Sequence, residues 1–244
     1  METIAIRGLI QGGVLLIYGR PKIVLGTAQF GMDYGIDGKL RVERHVASAI
    51  VDHAIELGIE WIDTAPAYGD AEEVLARPLK THRRLRVITK IPALATLATE
   101  KRPSAKSILE TLHSSLRSLG RDSVEVVLVH NAEDLRGPFA DVLAEALERA
   151  RTSGLCAQVG VSGYDWVDVQ EARLSFQPQV AQLPSSIYDQ RLGPEQFVDA
   201  LSSGIDLHVR SVYLQGILLT PPDSLPQTFA KLVEHQREFH EECA

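Results

Sequence analysis

"WIDTAPAYGDAEEVLA", residues 61–76, follows the end of an apolar run with an acid, a tyrosine and two small-residue bends. Ile59 to Ile62 read as a buried strand, with Asp63 at its C-terminal end. Tyr68 follows in a loop punctuated by Pro66 and Gly69, and a helical pattern begins at Ala71. Strand, polar loop and helix in that order make one βα unit, and the fold turns on whether the chain repeats it.

It does. Further strand-like runs are Ile23 to Leu25, Val87 to Ile91, Val124 to Val129, Val159 to Val161, Val180 to Leu183 and Leu207 to Leu214. Continuous apolarity in such runs predicts burial on both faces, as in a parallel sheet. Between them lie helical stripes. Val46, Ala49, Ile50, His53, Ala54 and Leu57 form one, and Leu109, Leu112, Leu116 and Leu119 a second. Phe139, Val142, Leu143, Ala146, Leu147 and Ala150 form a third. Gly58, Gly120, Gly154 and Gly204 stand just past stripes, where a left-handed residue closes a helix. Asp165 suits an N-cap, and Pro138 and Pro194 suit first-turn positions.

No linker divides the chain, so residues 1–244 read as a single domain. Repeated βα units of about 30 to 40 residues predict a (β/α) barrel of the TIM type. A doubly wound sheet is the alternative, and it lacks a G-x-G-x-x-G after any strand.

The formal net charge of −7 argues against nucleic acid or an anionic membrane as the main partner. Two cysteines, Cys156 and Cys243, are too few for a disulfide framework, which with the absence of a membrane-length apolar run predicts a cytoplasmic protein. The N-terminal 20 residues have an apolar centre without a charged leader or a small-residue cleavage site, so secretion is not expected.

Barrel enzymes carry their chemistry at the C-terminal ends of the strands. Those ends supply Asp63 with Tyr68 in its loop, Lys90 in "RVITKI", His130 in "VEVVLVHN", Ser162 in "GVSGYD", Gln182 in "VAQLPSSIYDQR" and Arg210 in "HVRSVYLQG". An ammonium in an apolar strand needs a partner, and Asp63 on the neighbouring strand is available. Read blandly, the pair is a buried salt bridge, Tyr68 a rim aromatic and His130 a core histidine. Read together, the ammonium lowers the phenol's pKa and makes Tyr68 a proton donor, while His130 bonds a substrate oxygen.

"VLGTAQFG" (24–31), "DTAPAYGDAEEVLA" (63–76), "ITKI" (88–91), "VLVHN" (127–131), "VGVSGY" (159–164) and "VRSVYLQGILL" (209–219) together resemble the aldo-keto reductase superfamily, from about residue 22 to about residue 240. The resemblance implies a catalytic tetrad of Asp63, Tyr68, Lys90 and His130. It also implies a nicotinamide cofactor, usually NADPH, with Ser162 and Gln182 holding its carboxamide and Arg210 covering its ring. Gly163 stands where the family has an asparagine, which removes one expected contact.

The family continues into an eighth strand and helix that grip the adenosine phosphates, whereas this sequence ends at "HEECA" (240–244) after a helix around Phe229 to Phe239. A seven-strand array would leave the edges at Ile23–Leu25 and Leu207–Leu214 unpaired. They are expected either to stay apart under a helix or a second subunit of a homo-oligomer, or to close on each other. "TIAIRG" and "VLLIYG", joined through "LIQGG", read as a β-hairpin plugging the barrel bottom.

The leading expectation is NADPH-dependent reduction of a small-molecule carbonyl, a sugar or a specialised-metabolite aldehyde or ketone. The rivals are cofactor-free lyase, dehydratase or isomerase chemistry by the same tetrad, and a non-enzymatic scaffold barrel. His235 and His240 are five apart, which does not share a helical face, so no metal site is expected there. Cys156 reads as a small buried residue. The basic run "RPLKTHRRLR" (77–86) reads as a solvated helix end.

Overall fold

In the computed structural model, residues 2–6, 8–11, 14–17, 22–36, 40–97 and 103–243 are described, the first three stretches by backbone alone. Seven parallel strands form the frame: β4 (Lys22–Gly26), β5 (Trp61–Asp63), β6 (Arg86–Ile91), β7 (Val124–Val129), β8 (Cys156–Ser162), β9 (Val180–Pro184) and β10 (Asp206–Arg210). All seven expected strand runs are present. The last ends at Arg210 and gives way to a 3-10 segment at Leu214–Leu219, because Ser211, Leu214 and Gln215 take left-handed backbone angles that no strand accommodates.

The edge expectation is overturned. β1 (Glu2–Ile6) inserts between the first and last parallel strands, antiparallel to both, with Ile4 opposite Ile23 on β4 and opposite Val209 on β10. The ring runs β1, β10, β9, β8, β7, β6, β5, β4 and closes. Both edges thus find their hydrogen-bond partners within the chain, which removes the reason for a second subunit there. The expected hairpin changes with it. Thr3–Ile6 join the barrel instead of pairing with "VLLIYG", and the two-stranded ribbon is β2 (Gly8–Gln11) with β3 (Val14–Ile17). The connecting Gly12 and Gly13 lie outside the described residues.

The outer layer consists of α2 (Arg44–Glu56), α3 (Ala71–Thr81), α4 (Ala105–Leu119), α5 (Ala140–Thr152), α6 (Trp166–Ser175) and α7 (Pro194–Ser202), with the short α1 (Ala28–Gly31) after β4. α8 (Val233–Glu242) packs on the segment after β10, its Gln236 amide donating to the Ile217 and Thr220 carbonyls. β2 rests beside α7. The four expected helix-closing glycines all have positive φ. Asp165 caps α6 through the Asp168 amide and Pro194 opens α7, whereas Pro138 precedes the N-cap of α5. The second stripe holds, with Leu112, Leu116 and Leu119 buried and Ile108 joining them, as does the third with Leu143, Ala146, Leu147 and Ala150.

The first stripe is rotated by one residue. α2 buries Ala47, Val51 and Ala54, while Val46 and Leu57 are exposed. The small side chains bring the helix close to the barrel, and hydropathy alone does not rank them above bulkier neighbours.

Two apolar layers follow from the period-2 alternation of a strand. Val24, Ile88, Val126, Leu128 and Val180 fill the barrel interior with Trp61 against them, while Ile62, Val87, Ile91, Val127, Val129, Val161, Ala181 and Leu183 face the helices. Counting onward by two from the inner set assigns Asp63, Lys90, His130 and Gln182 to the inward phase, and Ser162 and Arg210 likewise from their outward neighbours Val161 and Val209.

Candidate active site

Asp63 is held before it meets any partner. The Thr27 amide and hydroxyl both donate to its backbone carbonyl, at 3.0 and 2.9 Å. The next loop is set by close backbone contact. A Cβ at Gly31 would lie 1.9 Å from the Tyr68 carbonyl oxygen, and one at Gly69 would lie 2.2 Å from the Gly31 carbonyl oxygen. Only residues without a Cβ let α1 approach the Tyr68 loop this closely. The Tyr68 amide donates to Ala65, and its carbonyl accepts from the first residue of α3.

Lys90 joins the acid to the phenol. Its Nζ donates to Asp63 Oδ1 at 2.8 Å, to the Thr64 carbonyl at 3.0 Å and to Tyr68 Oη at 3.4 Å. Lys90 and Asp63 are each 1% exposed, so the pair is screened from water. His130 meets Tyr68 edge to face, with ring centroids 5.8 Å apart. All four expected tetrad residues therefore meet at the barrel mouth.

Ser162 and Gln182 belong to the same network. The Ser162 hydroxyl donates to Gln182 Oε1, and Gln182 Nε2 donates to Asp63 Oδ1, both at 3.3 Å. Arg210 stands across the mouth, donating to the Gly163 carbonyl at 2.9 Å with its guanidinium 5.0 Å from the Tyr164 ring centroid. A Cβ at Gly163 would come within 2.6 Å of Asp168 Cβ. Asp168 in turn accepts the Tyr164 amide and an Arg136 N–H. The family's asparagine could not enter without displacing that carboxylate.

The electrostatics differ from the sequence reading at one point. The pKa of Tyr68 is raised, because burial outweighs the opposing ammonium and Asp63 adds to the rise. Sequence registers the charge next to a phenol but not its desolvation. Burial alone would depress Lys90, yet Asp63 and Tyr68 together raise its pKa, so it is an ammonium. His130 is lowered to about 4 by burial and by Lys90, so its imidazole is neutral at physiological pH.

Two further groups escaped the sequence reading. Tyr34, in the loop after α1, interacts electrostatically with Tyr68, Arg210 and Tyr164 and bonds Gln215; its phenol pKa is raised, chiefly by burial. Its Gly-flanked position, after the first barrel strand, was the available signal. Glu72, buried on the outer face of β6, accepts a hydrogen bond from Thr89 at 2.6 Å and anchors the strand beside Lys90.

Cys156 is buried, its thiol pushed up to about 12 by desolvation, as its reading as a small core residue implies.

Fold and site define a (β/α)-type barrel with a buried acid–lysine pair joined to a phenol at its C-terminal mouth. Residues 22–239 match the sequence model of the Aldo/keto reductase family, and the chain belongs to that family. It is similar to an NADH-specific methylglyoxal reductase of Escherichia coli, with 25% identity over 211 residues, covering 80% of this chain and 64% of that protein. Among solved structures, a Bacillus halodurans aldo-keto reductase in its holo form aligns with a TM-score of 0.67 at 23% identity, covering 88% of this chain and 68% of that one. A glycerol dehydrogenase from Gluconobacter oxydans aligns with a TM-score of 0.68 at 20% identity, covering 97% and 77%. At such identities the structural likeness speaks for the fold. Among the described residues, no helix is long and apolar enough to cross a membrane.

Proposed function

We propose that residues 1–244 act as one cytoplasmic domain that reduces the carbonyl of a small aldehyde or ketone, a sugar or a specialised metabolite, using NADPH or NADH. The observation that carries this reading is the Lys90 ammonium, buried with Asp63 and bonded at once to that carboxylate and to the Tyr68 hydroxyl. Family membership and the reductase relatives support an oxidoreductase with a nicotinamide cofactor.

The residues fit that group. Gln182 uses one N–H on Asp63 and one lone pair on Ser162, which leaves a donor and an acceptor for a carboxamide. Ser162, Gln182 and Arg210 would hold it, and when bound it supplies a hydride to the carbonyl carbon. Tyr68 gives its proton to the carbonyl oxygen as charge develops there. The phenolate left behind stands against the Lys90 ammonium, whose N–H already points at Tyr68 Oη. Asp63 keeps that ammonium charged and fixed. Neutral His130 orients the carbonyl by a hydrogen bond without adding charge.

Tyr68→Phe tests the assignment. It is expected to leave the fold and nicotinamide titration intact and to lower turnover by about two to four decades. A Phe variant with wild-type turnover removes Tyr68 from the mechanism. Turnover by purified protein with no nicotinamide present removes the reductase reading and leaves the tetrad as acid–base machinery.

A further inference from the structure

The basic run 77–86 spans the C-terminal part of α3 and the turn into β6, at the end of the barrel remote from the tetrad. A cleft of about 560 Å³ opens there, with Ile55, Lys80, His82, Arg83, Arg84 and Leu85 among its lining residues. That volume lies within the range of about 300 to 1,000 Å³ for small-molecule sites. His82 is paired with Asp52 at 2.8 Å, but Lys80, Arg83 and Arg84 form no ion pair with any described residue. Three exposed cations without a counter-charge among the described residues thus stand together at this cleft.

The turn itself is moulded. The Arg121 guanidinium donates to the carbonyls of Leu79, His82, Arg83 and Leu85 at 3.1 to 3.4 Å. In a trans peptide the N–H points opposite its C=O. With the His82 and Arg83 carbonyls drawn to Arg121, the amides of Arg83 and Arg84 therefore aim away from it. Backbone amides and cationic side chains on one turn are the elements of an anion cradle. Ile55 and Ile59, both half-buried, add apolar surface to the same cleft. Glu60 also lines it and disfavours ligands whose negative charge extends along their whole length.

We propose that this cleft binds a small phosphate monoester, its phosphate on the Lys80–Arg83–Arg84 turn and its apolar body on Ile55 and Ile59. The site is independent of the tetrad and of the carbonyl chemistry proposed for it.

Calorimetric titration with phenyl phosphate and with inorganic phosphate tests the proposal, on the full chain and on its R83Q/R84Q and K80Q variants. The wild type is expected to bind phenyl phosphate saturably and about tenfold more tightly than inorganic phosphate. R83Q/R84Q is expected to weaken the ester about tenfold, and K80Q to weaken it severalfold. Nicotinamide titration is expected to be unchanged in both variants, which separates this site from the barrel mouth. No saturable binding by the wild type overturns the proposal, as does unchanged ester affinity in R83Q/R84Q. Equal affinity for inorganic phosphate overturns the organic ester as ligand. If R83Q/R84Q loses its cooperative unfolding transition, K80Q carries the comparison, since Lys80 is exposed and its side chain forms no hydrogen bond or ion pair with any described residue, and unchanged affinity there overturns the proposal.

Discussion

Removing the carboxylate of Asp63 strands a charge whose energetic consequence can be worked out. In the folded chain Lys90 is 1% exposed, and its ammonium donates to one carboxylate oxygen, one carbonyl and one phenol. Asp63→Ala deletes the only opposite charge in that set. Breaking a buried pair by taking one partner costs about 3 to 5 kcal/mol. The loss also has a ceiling, because Lys90 can release its proton instead. From an unfolded pKa of about 10.4, that release costs about 4.6 kcal/mol at pH 7 and about 1.4 less for each unit of higher pH. The sign follows from proton counting. A neutral Lys90 in the folded variant has a depressed pKa, so the unfolded state binds more protons and stability rises with pH towards 10.4. In the wild type the Lys90 pKa is raised, so its contribution is fully present below about 10.4 and is lost only as pH passes the folded value. Urea unfolding of both proteins at pH 7, 8 and 9 measures the difference. It is expected to be about 3 to 4.6 kcal/mol at pH 7 and to be smaller by pH 9. A difference below about 1 kcal/mol at pH 7, or one constant with pH, refutes the account of Lys90 as a buried cation held by Asp63.

His130, lowered to about 4, binds fewer protons than the unfolded imidazole between that value and about 6.5. Stability is expected to fall on acidification through that window and to fall less in His130→Gln, as read by thermal unfolding against pH. Gly31→Ala sets a methyl against the Tyr68 carbonyl at 1.9 Å and is expected to cost about 1 to 3 kcal/mol and to depress turnover by displacing the phenol. Comparison of unfolding midpoint and kcat checks it, and a fully active, fully stable variant contradicts the packing described. Deleting residues 1–6 strips the antiparallel strand from β4 and β10. Aggregation, or loss of the cooperative transition, is expected in sedimentation and calorimetry; a soluble monomer of unchanged midpoint denies β1 its closing role.

What sequence could disclose was set by the range of each interaction. Runs such as Val124–Val129 and stops such as Gly120 are governed by neighbours a few residues away, and both stand where the pattern put them. The inward phase of Asp63, Lys90 and His130 follows from the same alternation. The destination of Glu2–Ile6 does not. Its own pattern fits a hairpin as well as a barrel strand, and its partner on β10 lies about two hundred residues away in sequence. The α2 stripe keeps Ala54 but otherwise slips by one residue, to Ala47 and Val51, because the weakly hydrophobic Ala47 packs closest. Tyr68 was assigned its shift in the wrong direction for a kindred reason. A neighbouring charge is legible from position, whereas the water excluded around a side chain is a property of the whole mouth.

The antiparallel strand also orders the steps of folding. β1 is made before the other described strands, and its pairing with β4 joins segments separated by only about twenty residues. That contact closes a short loop and is entropically cheap to form early. Its other edge must wait for β10, whose residues 206–210 come last among the strands of the ring. During synthesis, therefore, the outer edge of β1 stays unsatisfied while five further βα units are made. Contacts of such long sequence separation set the slow step of folding. Sealing the cylinder is consequently expected to be its final event, and the nascent chain to be most prone to self-association just before β10 arrives.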